Sequence, residues 1–179
     1  MLERIIISGF GGQGVMLMGR LLAYAGMIEG KKVAWMPSYG PEMRGGTANC
    51  TVLISTKEIG SPIVSHPKTL IAMNQPSLDK FESNVNEDGL IILNDSLINR
   101  EVKRNDVNVI KIPADEIADK LGNSRAANMV ILGAYVKKSG IVKMDTIFQA
   151  LEKALAGRNK KLLELNKEAL KKGAELVKD

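Results

Sequence analysis

The chain has 179 residues, 45% hydrophobic and 25% charged, a balance that excludes disorder and suffices to bury roughly 70% of the unfolded surface. Its one cysteine (Cys50) and one histidine (His66) exclude, within this chain, a disulfide framework, a cysteine-ligated iron–sulfur cluster, a CxxC redox pair and a two-histidine metal site. The net charge of +5 is concentrated at the end, where residues 151–179 hold eight basic and five acidic residues; with aromatics at 4%, this reads as a solvated helix face and not as a nucleic-acid surface.

The chain starts Met1-Leu2-Glu3-Arg4, without a basic region leading into a long apolar run, and no stretch approaches the ~18 apolar residues of a membrane span. A cytoplasmic protein with no membrane contact is the expectation. Arg4 to Ser8 is a short β-branched run that predicts a buried parallel strand. Glycines from Gly9 to Gly14 break it, and Met18, Leu21, Leu22, Ala25 and Ile28 then recur at helical spacing up to Gly30, a suitable C′ residue. Val33 to Met36, closed by Pro37, completes a βαβ pattern. Thr47 to Ser55 alternates as a strand with one covered face, and its expected hairpin partner is 59–64, across Thr56-Lys57-Glu58.

Farther on, strands are expected at 69–73, 89–93 and 107–112, with a short helix at 75–82. Pro113, Asp115 and Glu116 favour a helix start that should run to Gly122. Ser124 is the expected cap of a helix over 125–138, rich in small residues, and helices at 144–156 and 159–177 follow. Leu162, Leu165, Ala169, Gly173 and Leu176 form one stripe on the last, which should dock it on the fold. No linker divides the chain, so residues 1–179 are expected to form a single α/β domain with a mostly parallel sheet, an antiparallel hairpin and C-terminal helices.

Two segments carry chemistry. Gly9, Gly11 and Gly14 fit G-x-G-x-x-G, with Gly12 and Gln13 between, placed after a strand and opening a helix as in Rossmann-like folds. Such a loop suits a packing turn, an anionic ligand at the helix N–H groups, or a partner surface. A dinucleotide would want an acid ending the second strand, and Trp35-Met36-Pro37-Ser38 has none. The second segment is Ser38, Tyr39, Gly40, Pro41, Glu42, Met43, Arg44, Gly45 and Gly46, expected at the same carboxyl edge; Arg44 suits bidentate contact with carboxylate or phosphate, or a local ion pair with Glu42. His66 before Pro67 reads as a surface turn residue. Cys50, on the apolar face of its strand, reads as an inert buried thiol, and Asn128 within an apolar helix as a structural hydrogen-bonding group.

Together, the Gly9–Val15 and Ser38–Gly46 segments resemble the gamma subunit of the 2-oxoacid:ferredoxin oxidoreductases, in the pyruvate/ketoisovalerate oxidoreductase gamma family, and the likeness extends to Asn128–Ala134 and to Asn166, Ala169 and Gly173. The Ser-Tyr-Gly-Pro-Glu-x-Arg-Gly-Gly wording is similar to the 2-oxoglutarate branch. The resemblance implies a Rossmann-like three-layer domain and membership of a complex that oxidatively decarboxylates a 2-oxoacid to its acyl-coenzyme A and passes electrons to ferredoxin. It implies thiamine diphosphate with Mg and the iron–sulfur clusters on alpha, beta and delta partner subunits, no catalytic or metal residue here, and contact of the two loops with coenzyme A or with those partners. Self-association of the isolated chain is a further expectation. A free-standing nucleotide-binding protein and a purely structural subunit stand as alternatives.

Overall fold

The computed structural model describes residues 1–39 and 47–178. Strand β1 (Leu2–Phe10) leads into helix α1 (Val15–Ile28), then β2 (Lys32–Tyr39), β3 (Thr47–Ser55) and β4 (Thr69–Ala72). Helix α2 (Gln75–Phe81) with a 3-10 turn, β5 (Leu90–Asn94), β6 (Asn108–Ile112), α3 (Ala114–Lys120), α4 (Ala127–Ser139), α5 (Met144–Ala154) and α6 (Lys160–Glu175) complete it.

The six strands form one sheet in the order β2-β3-β1-β4-β5-β6. β1, β4, β5 and β6 run parallel, whereas β3 is antiparallel to both of its neighbours. β2 is therefore parallel to β1 but separated from it, because β3 fills the place between the two strands of the βαβ pattern. The expected hairpin of β3 with 59–64 does not form. Both edges of β3 are already taken by β1 and β2, and Gly60 and Pro62 suit 59–64 poorly to a ladder; Ile63 is 74% exposed. The antiparallel partner of β3 next to it in sequence is instead β2. That strand runs through Pro37 to Tyr39, which an edge position tolerates because no neighbour needs the missing N–H.

The alternation of β1 divides the core. Ile5 and Ile7 face one cluster with Met18, Leu21 and Leu22 of α1 and with α4, α5 and α6; Ile6 faces a smaller one with Leu78 of α2 and Val85. Helices thus cover both faces, giving the α/β architecture expected, with most of the cover on one side. Each fully buried Ile or Leu stabilises this arrangement by about 1.5–3 kcal/mol.

Three local expectations shift. Asn123, not Ser124, supplies the cap: its Oδ1 accepts from Arg125 N at 3.0 Å and starts a 3-10 turn, and α4 begins two residues later than expected. Pro113 stands one place before α3, as its N-cap. On α6 the buried residues are Asn166, Ala169, Leu170 and Gly173, while Leu176 is 48% exposed. Close packing against α4 sets that rotation. A Cβ on Gly133 would lie 1.9 Å from the Leu170 carbonyl oxygen, and one on Gly173 would lie 1.8 Å from that of Val130.

Candidate functional site

The parallel order brings the carboxyl ends of β1, β4 and β5 together, the edge at which α/β sheets receive ligands. Gly9, the last buried residue of β1, lies against its neighbours: a Cβ there would be 2.8 Å from Met73 Cβ and 2.6 Å from Gln13 Oε1. Phe10 and Gln13 close the turn, with Gln13 N donating to Phe10 O at 3.1 Å. Gly12 follows with φ +99°, exposed and with open space beside it, and Gly14 with φ +74° starts α1. No side chain caps that helix and no acid stands in its first turn, so its N-terminal N–H groups and positive dipole end are not neutralised there.

Gln13 is turned inward. Its Oε1 accepts from Phe10 N at 2.6 Å, and its Nε2 donates to the Met73 carbonyl at 3.3 Å. That same carbonyl accepts from Asn94 Nδ2 at 3.3 Å, and Asn94 also donates to Asp115 Oδ2 at 2.5 Å. Ser8 Oγ donates to Ser77 Oγ at 2.8 Å, and Asn74 caps α2 by accepting from Ser77 N at 3.0 Å. The loop after β1 is therefore pinned to the ends of β4 and β5 through the Met73 carbonyl oxygen, and Asn74 Nδ2 adds a bond to Gln13 Oε1 at 3.5 Å. Asn74, Ser77 and Asn94 were not singled out from the sequence. The Asn74-Gln75-Pro76-Ser77 pattern at the start of a helix, an Asn cap followed by Pro, is the signal that could have found Asn74.

Asn128 secures the other side of the loop. It is buried, donates from Nδ2 to the Gly14 carbonyl at 3.4 Å, and fills the space beside Gly14 that a Cβ would take. The structural role expected for it is the one it has.

Ser38 and Tyr39 end β2 and are exposed, Tyr39 by 56%. Tyr39 pairs with Ala48, and Ala48 pairs with Gly9, so the three lie in one row across the sheet. At the usual strand spacing Tyr39 stands about 10 Å from Gly9. Phe10, 38% exposed, pairs with Thr47, the first residue of β3. Tyr39 and Thr47, which flank residues 40–46, are thus at the edge that carries the glycine loop. Gly40, Glu42, Arg44, Gly45 and Gly46 lie outside the described residues.

His66 is exposed, with Nδ1 3.3 Å from the Asn84 carbonyl oxygen. Cys50 is fully buried; its Sγ donates to Val15 O at 3.6 Å, and burial pushes the thiol up to about 12. No helix among the described residues is long and apolar enough to cross a membrane.

Comparison with known proteins agrees with this geometry. The chain is 44% identical over 178 residues to ketoisovalerate oxidoreductase subunit VorA of Methanothermobacter thermautotrophicus, covering 98% of this chain but only 36% of that relative's length. It is 34% identical over 182 residues to 2-oxoglutarate synthase subunit KorC of Methanocaldococcus jannaschii, covering 100% of this chain and 96% of the other. The fold superposes on the keto/oxoacid ferredoxin oxidoreductase gamma subunit of Geobacter sulfurreducens with a TM-score of 0.85 and 28% identity, over 98% of this chain and 95% of that one. The family model for pyruvate ferredoxin/flavodoxin oxidoreductase matches residues 4–176, which takes in both glycine segments and every strand and helix but the first residues of β1. The chain belongs to the pyruvate ferredoxin/flavodoxin oxidoreductase family.

Proposed function

We propose that this chain is the gamma subunit of a cytoplasmic, thiamine diphosphate-dependent 2-oxoacid:ferredoxin oxidoreductase, inactive alone. The observation that carries the reading is the end-to-end match to KorC, a chain of nearly the same extent. In this role the Gly9–Gly14 loop, together with Tyr39 and the 40–46 segment, forms a contact surface for partner subunits or for an anionic group such as that of coenzyme A. The uncapped start of α1 and the exposed Gly12 support an anion, which would be held by backbone N–H groups. Gln13 is spent on Phe10 and Met73, so it shapes the loop rather than reaching outward.

One cysteine does not fit an iron–sulfur cluster, and the described residues do not fit the Mg of thiamine diphosphate. Cys50 is a buried thiol held in its protonated form, and among the described residues no three His, Cys, Asp or Glu side chains gather. Those groups belong, in this reading, to the alpha, beta and delta subunits, and ferredoxin is reached through them.

For the substrate we propose 2-oxoglutarate, on the wording of Ser38 to Gly46 and on the KorC match. A branched 2-oxoacid is the second reading, favoured by the higher identity to VorA. The test is coenzyme A-dependent ferredoxin reduction by the complex isolated through this chain, with 2-oxoglutarate, ketoisovalerate and pyruvate each supplied. A kcat/KM highest for 2-oxoglutarate supports the first reading, and one highest for ketoisovalerate replaces it with the second. No 2-oxoacid-dependent reduction at all contradicts the gamma-subunit role.

A further inference from the structure

Beside the outer edge of the sheet lies a groove that the fold leaves open. Tyr24 and Met27 of α1, Val33 and Trp35 of β2, and Ala150 and Ala154 of α5 line a cavity of about 470 Å³. Met27 is 58% exposed, and β2 is an edge strand whose far side has no partner among the described residues. Apolar surface beside a free strand edge is the arrangement that takes up an added strand from another chain.

The charge around the groove selects the occupant. Arg20 and Lys153 stand on its rim, and no acidic residue lines it. Lys153 Nζ contacts the Tyr24 hydroxyl and lies 5.0 Å from the centre of that ring; neither cation has a carboxylate partner among the described residues. A second copy docked about a two-fold axis would set Arg20 and Lys153 against the same two cations, a like-charge contact that disfavours it. The long relative offers another source. Only 36% of the VorA chain corresponds to this one, so there the matching region is part of a longer polypeptide.

Resting on the gamma-subunit reading, we propose that this groove receives an extended segment of a different subunit of the same complex. That segment adds along Lys32–Met36, where Pro37 ends the run of available N–H groups. It places an apolar side chain between Met27, Trp35 and Ala154, and carries carboxylates that meet Arg20 and Lys153.

Hydrogen exchange of the β2 amides, measured in the isolated chain and in the co-purified complex, tests this alongside the variant Arg20→Glu/Lys153→Glu. The expected results are at least tenfold slower exchange in the complex at those amides of 33–36 that face away from β3, and at least tenfold weaker assembly of the variant. The variant's isolated chain should stay folded, with a thermal midpoint only a few degrees below wild type, since both positions lie at the surface and only the Lys153–Tyr24 contact is lost. A complex that forms while the β2 amides exchange as in the free chain overturns the proposal and leaves the gamma-subunit role standing. Protection that appears in the isolated chain with rising concentration identifies a second copy as the occupant and also overturns it. Failure of the wild-type chain to assemble with any other subunit overturns both.

Discussion

Asn128 occupies the space that a side chain on Gly14 would need. A Cβ on Gly14 would lie 2.2 Å from Asn128 Nδ2, and that same amide donates to the Gly14 carbonyl at 3.4 Å across 114 positions of sequence. The start of α1 and the start of α4 are locked to each other, and the glycine loop is held between them.

This lock predicts a coupled pair. Gly14→Ala is expected to cost about 1–2 kcal/mol for the left-handed backbone and a further ~1–3 kcal/mol for crowding. Adding Asn128→Ala removes the amide that clashes, so the double variant should be more stable than the sum of the two single losses by about 1 kcal/mol. Urea denaturation of the four proteins measures it; strict additivity would mean that the two residues do not share the space.

The crossing of α4 and α6 is less forgiving. At Gly133 and Gly173 the atoms that a Cβ would meet are the carbonyls of Leu170 and Val130, backbone atoms that no rotamer change can move aside. Gly133→Ala and Gly173→Ala are each expected to destabilise the fold by about 3 kcal/mol or more. Gly30→Ala, at an exposed helix end with open space but φ +72°, should lose only about 1 kcal/mol. Denaturant midpoints for the three variants check the order.

Gln13 offers a sharper chemical test, because its two amide atoms do different work. Gln13→Glu keeps an acceptor for Phe10 N but turns the donor to Met73 O into a second acceptor facing a carbonyl. At pH 7 the variant should be less stable than wild type by about 1–3 kcal/mol, and the amides of 10–14 should exchange faster. Protonation of the new carboxyl restores a donor, so the deficit should shrink as pH falls below 5. Thermal midpoints at pH 7 and pH 4.5 measure this; an equal deficit at both would show that the bond to Met73 contributes little.

Cys50 makes stability fall at high pH. Burial holds its thiol near 12, against an ordinary 9.0. The proton is bound more tightly in the folded chain, so the contribution is complete below pH 9. Above that the unfolded chain ionises first, and stability drops by about 1.4 kcal/mol per pH unit until the folded thiol also ionises. Between pH 8 and pH 10 the wild type should therefore lose about 1–2 kcal/mol more than Cys50→Ala. Equal losses would place the thiol in contact with water.

Much of this was legible from residue pattern. The run Arg4 to Ser8, the α1 stripe and the stop at Gly30 each follow from a period or a turn residue whose physics is local. Strand β3 shows where such reasoning ends. Its alternation identifies a half-covered strand, but a two-residue period carries no information about which strand lies beside it. The position of β3 between β1 and β2 is a property of the whole sheet. Leu170 was missed for a similar reason: the glycine crossing with α4 rotates α6 away from the stripe that its leucines suggest. At the site, the Met73 carbonyl that joins Gln13 to Asn94 is a backbone atom, and any residue type could have supplied it. Gly9 to Gly14 could be read because only glycine suits the positive φ at two of its positions.

The most direct measurement is 2-oxoacid- and coenzyme A-dependent reduction of ferredoxin by the complex with this chain, by the complex without it, and by the chain alone. The assembled complex should turn over, the complex lacking the chain should lose acyl-coenzyme A formation, and the chain alone should be inactive. Turnover by the isolated chain, or an undiminished rate without it, would contradict its role as a non-catalytic subunit of the oxidoreductase.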